Sequence, residues 1–280
     1  MLALKLTAVL LLLQPVSVWY LRPVLLSAAI VGLLFPTLLR VPAFWGGVAL
    51  LLGAWVVREW PTGDNHHYLF AYWVLAIFLC LCAPRPERAL PTSARWLLAA
   101  VFLWATLWKA VLSPDYMDER FYRVRLLVDP RFASIVELAG DLSPEQLAAS
   151  RIYLEPPPFG TPDGVPPELI EPAGVARMAS LLTWATVLLE GIVAAAFLFP
   201  WGRWTLAVRH GALLGFCATA YAIAPVAGFG WILCAMGASQ VPAGRRGLRA
   251  AYIAVFLLLR FYMDVPWGRL LLGLGARLTT

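Results

Sequence analysis

Charge is scarce in this 280-residue chain: 14% of its residues are Asp, Glu, Lys or Arg, where a soluble domain carries about 25%. That shortage excludes intrinsic disorder and a charge-laced coiled coil, both of which depend on solvated side chains. Cysteine is sparse as well. Cys80, Cys82, Cys217 and Cys234 all lie inside apolar stretches, which excludes a disulfide framework or a Cys-rich zinc site and leaves small, soft core residues. No HExxH, Walker loop, dinucleotide fingerprint or GxSxG occurs, so the common motif-defined hydrolase and nucleotide chemistries drop out. The net charge of +6 gathers into no basic stripe, and a stripe is what would follow phosphates. Residues 113–176 hold 11 of the 16 acids and five of the 22 bases, while the other bases are scattered singly between apolar runs. No nucleic-acid partner is expected.

What is abundant is apolar. The chain is 61% hydrophobic, with 13 Trp, 14 Phe and 9 Tyr, enough aromatic material for two interface belts in contact with membrane lipid. A bilayer core of about 30 Å asks for about 20 apolar residues per helix, with about 17 tolerable. That ruler gives spans near 3–21, 23–39, 42–57, 66–83, 95–112, 177–199, 204–223, 226–241 and 250–264. The expected fold is an all-α integral membrane protein of about nine transmembrane helices with a long outward-facing helical loop. Its parts are residues 1–112 with helices one to five, the loop 113–176, and residues 177–280 with helices six to nine and a short tail. No small-x-small cleavage site follows the first apolar run, so that run reads as an anchor rather than a signal peptide. The apolar stretch Trp267–Leu274 is too short to cross and is expected at the interface.

Orientation follows from the bases. With the amino terminus in the cytoplasm, the inner connections and their ends carry Lys5, Arg40, Arg85, Arg88, Arg95, Arg203, Arg245, Arg246 and Arg249, while the short opposite connections carry Arg22 and Arg58. This satisfies the positive-inside rule and puts the acidic loop outside, as in a multi-pass protein of a bacterial-type inner membrane. Within the loop, Asp129-Pro130 and Ser143-Pro144 each place a capping residue before a proline at the first helical position. Ser143 with Gln146 fits the capping-box spacing. Short helices are expected near 115–127, 130–139 and 144–152, followed by a proline-rich extended segment from Glu155 to Pro172. A loop this long covers or completes a site, or docks a protein partner.

Ionisable residues at depth are the informative ones, because each costs at least about 2.5–3.5 kcal/mol there. Glu190 and Arg260 both lie roughly 15 Å from the inner ends of their spans, which suggests a buried ion pair, either structural or on a substrate or proton path. Lys109 is one of only two lysines against twenty arginines. It sits among apolar neighbours in the outer leaflet, where desolvation favours the neutral amine of a general base. Snorkelling to the interface is the plainer alternative. His66 and His67 open the fourth span. By the rise per residue, His66 at roughly 26 Å and Lys109 at roughly 21 Å above the turn 84–94 lie at similar depth, and Asp264 reaches the same level. Base, imidazole and carboxylate together form an acid/base cluster; a wet helix start is the bland reading of the histidines. His210 reads as interfacial. Two adjacent histidines make no metal site without further ligands, so no metal is expected.

Asn65-His66-His67-Tyr68-Leu69-Phe70 resembles the Asn-His-x-Tyr-Leu-aromatic signature of the vitamin K-dependent γ-glutamyl carboxylases and their relatives, the horizontally transferred transmembrane (HTTM) domain proteins. Trp108-Lys109 followed by Ser113-Pro114-Asp115-Tyr116-Met117-Asp118 is similar to the second signature of that family, a lysine ending a span and then Asp-aromatic and an acid. The two stretches cover residues 60–120, and Glu119 stands where the family has glycine. The resemblance implies nine spans, Lys109 as the base that deprotonates a reduced, vitamin K-like quinone, and His66 as its catalytic partner. Asn65, His67, Tyr68, Asp115 and Asp264 take supporting positions. The family's large carboxy-terminal extramembrane domain has no counterpart within the 16 residues after the last expected span. The expected activity is therefore a quinone-using, lyase- or oxidoreductase-like membrane reaction rather than carboxylation of a tethered protein. Two readings of other classes stand beside it: a non-catalytic membrane subunit docking a partner through 113–176, and a small-solute transporter working at the level of Glu190 and Arg260.

Overall fold

A backbone that must satisfy its own N–H and C=O groups without water has two solutions, helix or closed barrel, and this chain takes the first. The computed structural model describes residues 1–60, 62–154, 169–223 and 226–264, and among them every regular element is helical. In chain order these are α1 (Leu2–Leu13), α2 (Leu21–Leu34), α3 (Pro42–Arg58), α4 (Asn65–Cys82), α5 (Pro86–Leu107), α6 (Pro114–Met117), α7 (Arg120–Val128), α8 (Ala133–Ala139), α9 (Pro144–Leu154), α10 (Ala173–Leu198), α11 (Thr205–Ile223), α12 (Ala227–Ser239) and α13 (Arg246–Asp264). A π turn, Trp108–Leu112, continues α5, and a 3-10 turn, Gly202–Trp204, precedes α11.

Three helices among the described residues are long and apolar enough to cross a membrane: α4, α5 with its π turn to Leu112, and α10. Their 18, 27 and 26 residues correspond to about 27, 40 and 39 Å of helix. A helix lies at the place of each of the nine expected spans, but most fall short. The apolar helices α1, α2, α3 and α12 have 12, 14, 17 and 13 residues. The run expected over 3–21 stops at Leu13 because Gln14 precedes Pro15, and a residue before proline is pushed out of the helical region. The span expected from 95 starts earlier, at Pro86, and carries Pro91 inside the helix. α13 is interrupted by Arg249, Arg260 and Asp264.

The chain divides into two compact units. The first comprises Met1–Val101, Val193–Ala218 and Val226–Arg260; the second is built around Phe102–Ile192. In the first, α3 packs most extensively on α4, and α1 on α12 and α2. Gly46 makes the α3–α4 approach close: a Cβ there would lie 3.1 Å from the Phe78 ring, the small-residue device of membrane helix pairs. Trp45, Trp55 and Trp73 are fully buried. The Trp73 indole donates to Thr7 Oγ1 of α1 at 2.9 Å and the Trp45 indole to the Leu39 carbonyl at 2.8 Å, so these bulky anchors bring no unmet donor into the core.

In the second unit the expected loop is a folded body. Leu126, Leu127, Phe132, Val136, Leu142 and Leu147 pack against Val175, Met178, Ala179 and Leu182 of α10. The capping box forms as the spacing predicts: Ser143 N–H donates to Gln146 Oε1 at 2.9 Å and Gln146 N–H to Ser143 Oγ at 3.3 Å. Asp129 Oδ1 accepts from Arg131 N–H at 3.0 Å. The helix expected over 115–127 is broken into α6 and α7 by Glu119, which stands at φ +71° in the left-handed region. The central part of the extended segment expected from Glu155 and the interfacial stretch Trp267–Leu274 lie outside the described residues.

Candidate functional site

Lys109 is presented by an irregular piece of backbone. α5 stays α-helical to Leu107 and then widens into the π turn Trp108–Leu112 before Ser113-Pro114, where the proline forbids a continued helix. Single π turns recur at functional positions. From this turn the Lys109 ammonium donates to Glu190 Oε1 of α10. Both side chains are largely shielded, 21% and 10% accessible. The other oxygen, Glu190 Oε2, is buried with no hydrogen-bond partner among the described residues. Gly191, next to the carboxylate, keeps α10 close to α5: a Cβ there would meet Thr106 Cγ2 at 3.7 Å.

A hydroxyl chain flanks the pair. Lys109 Nζ lies 5.5 Å from the centre of the Tyr116 ring, the range of a cation–π contact. Tyr116 O–H donates to Tyr122 Oη at 3.2 Å, and Tyr122 meets Thr186 Oγ1 at 2.8 Å. Because Thr186 Oγ1 donates to the Leu182 carbonyl at 2.7 Å, it accepts from Tyr122, and the chain has one direction. Burial, followed by the neighbouring Tyr122, pushes the Tyr116 phenol well above its usual value, so it stays a donor. Around this polar group the surface is apolar. Trp104, Leu107, Trp108 and Val111 on one helix, and Leu181, Trp184, Leu188 and Ile192 on the other, are all exposed, at the i, i+3, i+4 and i+7 spacings of helix faces.

Glu190, expected to meet Arg260, instead takes Lys109 as its cation. Equal depth does not choose among neighbouring helices, and the π turn carries Lys109 to the carboxylate. The amine expected in a bare apolar recess therefore has an acid against it. Asp115 is exposed and pairs with Arg120 Nη2 at 3.0 Å, away from the amine. The side chain of Asp264 lies outside the described residues.

His66 belongs to the first unit and Lys109 to the second, and each site stands on its own geometry. His66 and His67 lie 4.3 Å apart between ring centres. His67 packs on the buried Trp55 at 4.2 Å, with its Nδ1 3.8 Å from Glu59 Oε2. His66 Nδ1 is 3.9 Å from Asp64 Oδ2, and the ring lies on Gly228 of α12, where a Cβ would come 2.6 Å from His66 Cδ2. Beside it is Gln14, buried with both amide atoms unpartnered among the described residues. Asp64, His66 and His67 each bring one ligand atom within 4.8 Å of the others, so the structure adds a third donor that the histidine pair lacked in sequence. Tyr68 packs edge-on against Trp60 at 5.2 Å, and Asn65 is exposed at the start of α4.

Sequence reasoning missed Gln14, Glu59 and Gly228 around the histidines, and Tyr122 and Thr186 beside the lysine. Gln14 alone carried a signal, as an amide inside an apolar run. No protein-family model matches this chain, and neither a curated protein nor a solved structure does.

Proposed function

We propose that this protein is a multi-spanning membrane enzyme in which Lys109 removes a proton from a lipophilic hydroxyl compound. The observation that carries the reading is the contact between Lys109 and Glu190 in a setting with apolar, outward-facing helix surfaces. A buried ammonium–carboxylate pair is costly in low dielectric, and transfer of its proton to Glu190 leaves a neutral amine beside a carboxylic acid. Lys109 then accepts a proton from the bound hydroxyl, and Tyr116, held as a donor, supports the oxygen that loses it. An arginine in the same place would keep the charge but could not act as the base. Soluble proteins rarely expose contiguous apolar faces of this kind, whereas lipid would cover them and let a lipid-soluble substrate enter sideways.

The similarity of residues 60–120 to the HTTM and vitamin K-dependent carboxylase pattern supports the same reading. Glu119, where that family has glycine, stands at φ +71°, a conformation glycine adopts without strain. A reduced quinone would supply the acidic hydroxyl, with Lys109 and Tyr116 as its protein contacts. In this reading the nine helices at the expected places form the membrane bundle, the amino terminus is cytoplasmic, and 113–176 faces outward. His66 and Asn65 then serve a second group on α4.

The docking reading has one observation of its own, the exposed Phe121, Val124, Leu138 and Tyr153 of the 113–176 body. The transporter reading loses its motive once Glu190 is held by Lys109. The test is turnover of a reduced naphthoquinone by the detergent-purified protein, with wild type beside Lys109→Ala and Lys109→Arg. Both substitutions should lower the rate by about 100-fold or more, the scale of general-base catalysis, in protein that still elutes as a folded species. Wild-type rates in Lys109→Arg would sink the proposal.

A further inference from the structure

In the first unit, the carboxyl end of α10, the turn Gly202–Trp204 and the start of α11 frame an open cleft of about 470 Å³. Its lining includes Arg95, Arg203, Arg209 and His210, with Thr205 and Gln240 as neutral polar groups and no carboxylate. Arg95 Nε and Nη2 donate to the Phe197 and Leu198 carbonyls at 2.9 and 3.2 Å, and Arg209 Nε donates to the Ala196 carbonyl at 3.2 Å. These carbonyls are the last turn of α10, which carries about half a negative charge. Three guanidiniums therefore outweigh the only negative end they face. Each guanidinium has five N–H donors, and the carbonyls engage only some of them.

The cleft is also built and marked. His210 is buried, its ring fixed by a 2.6 Å hydrogen bond between Nδ1 and the Tyr252 hydroxyl. Arg95 lies 4.9 Å over the Trp96 ring and Arg203 5.2 Å over Trp204, and both indoles are more than half exposed. Tryptophan exposed in this way beside apolar helices marks the headgroup level of a bilayer, and forked guanidiniums match phosphate oxygens two at a time.

We propose that this cleft binds a phosphate-bearing anion, supplied by the headgroup of an anionic phospholipid. Basic pockets between membrane helices hold headgroups by this chemistry. The proposal rests on the membrane reading given above, but not on Lys109 or its activity.

The experiment uses the full-length protein extracted in a neutral detergent and stripped of lipid. Resistance of the protein to carbonate extraction from membranes checks the embedding separately. The protein is then titrated with phosphatidylglycerol, phosphatidylcholine or inorganic phosphate, and adducts are counted by native mass spectrometry while thermal unfolding is followed. Phosphatidylglycerol should remain bound one to one and raise the midpoint by several degrees, with phosphatidylcholine at least ten-fold weaker. Arg203→Gln removes a charge that makes no hydrogen bond to the described residues and should cut phosphatidylglycerol occupancy about five-fold without lowering the lipid-free midpoint. Phosphatidylglycerol displaced by millimolar inorganic phosphate, with the same sensitivity to Arg203→Gln, would uphold the phosphate site and assign its source to a soluble anion. Equal retention of the two lipids, or unchanged occupancy in Arg203→Gln, would overturn the proposal.

Discussion

The two units treat buried charge in opposite ways. In the unit built around Phe102–Ile192, one ammonium and one carboxylate are set against each other between two apolar helices, and neither is left without a counter-charge. In the other, Arg95, Arg203 and Arg209 line a cleft with no acid, offset only by the carbonyls closing α10. Isolated charge is expensive in a dry setting, so the first arrangement suits a site that must exclude water. The second is tolerable only where water or an anion can reach it. Charge balance thus distinguishes a place where a proton can be passed between partners from a place where an outside anion completes the set.

That contrast breaks most sharply at Lys109. Lys109→Met leaves Glu190 buried without its cation and should cost on the order of 3 kcal/mol, read as a lower unfolding midpoint in detergent. The double variant Lys109→Met/Glu190→Leu should recover most of that loss, because removing both partners removes the desolvation penalty as well. If the single variant is as stable as wild type, the pair is not a mutual neutralisation and the contrast between the units fails. Next in size is Gly237→Ala. A Cβ there would lie 2.4 Å from the Tyr252 ring, and Tyr252 is fully buried and bonded to His210. Overpacking of this kind costs about 1–3 kcal/mol. It should also loosen His210 and weaken retention of phosphatidylglycerol, whereas turnover dependent on Lys109 should hold. Equal loss of both would mean that the two regions are not separable. The smallest effect is expected at Glu119→Gly, which relieves the left-handed backbone at the price of an exposed contact to Arg123 at 3.4 Å. A gain of about 1 kcal/mol follows from the conformational term, and a loss would show that the ion pair governs that turn.

Much of the helical plan was legible because apolar runs and proline positions are local. The caps at Asp129 and Ser143 formed as their spacing implied, and the short helices of 113–154 fell close to their expected places. Span lengths were less legible. Hydropathy averages over Gln14-Pro15, but the backbone cannot, so α1 ends at Leu13. The irregular turn at Trp108 was invisible for the converse reason: its residues read as an ordinary helical continuation. Lys109 and Glu190 were each singled out from sequence, yet their pairing was not, since depth along a helix says nothing about which neighbour is reached. Tyr122 and Thr186 join the site through tertiary contacts alone. Around the histidines, Gly228 matters for what it lacks, room for a Cβ under an imidazole, and no single sequence marks such a residue.

The widened turn at Trp108–Leu112 has a consequence for evolution. It absorbs one residue more than a regular helical turn holds, so deleting a single residue there would re-phase everything downstream by about 100°. A homologous chain with a one-residue gap beside its lysine would aim that amine at a different neighbour, even though every other letter of the signature survived. Inheritance of this chemistry would then be tracked by the spacing between the tryptophan and the following proline as much as by the lysine itself.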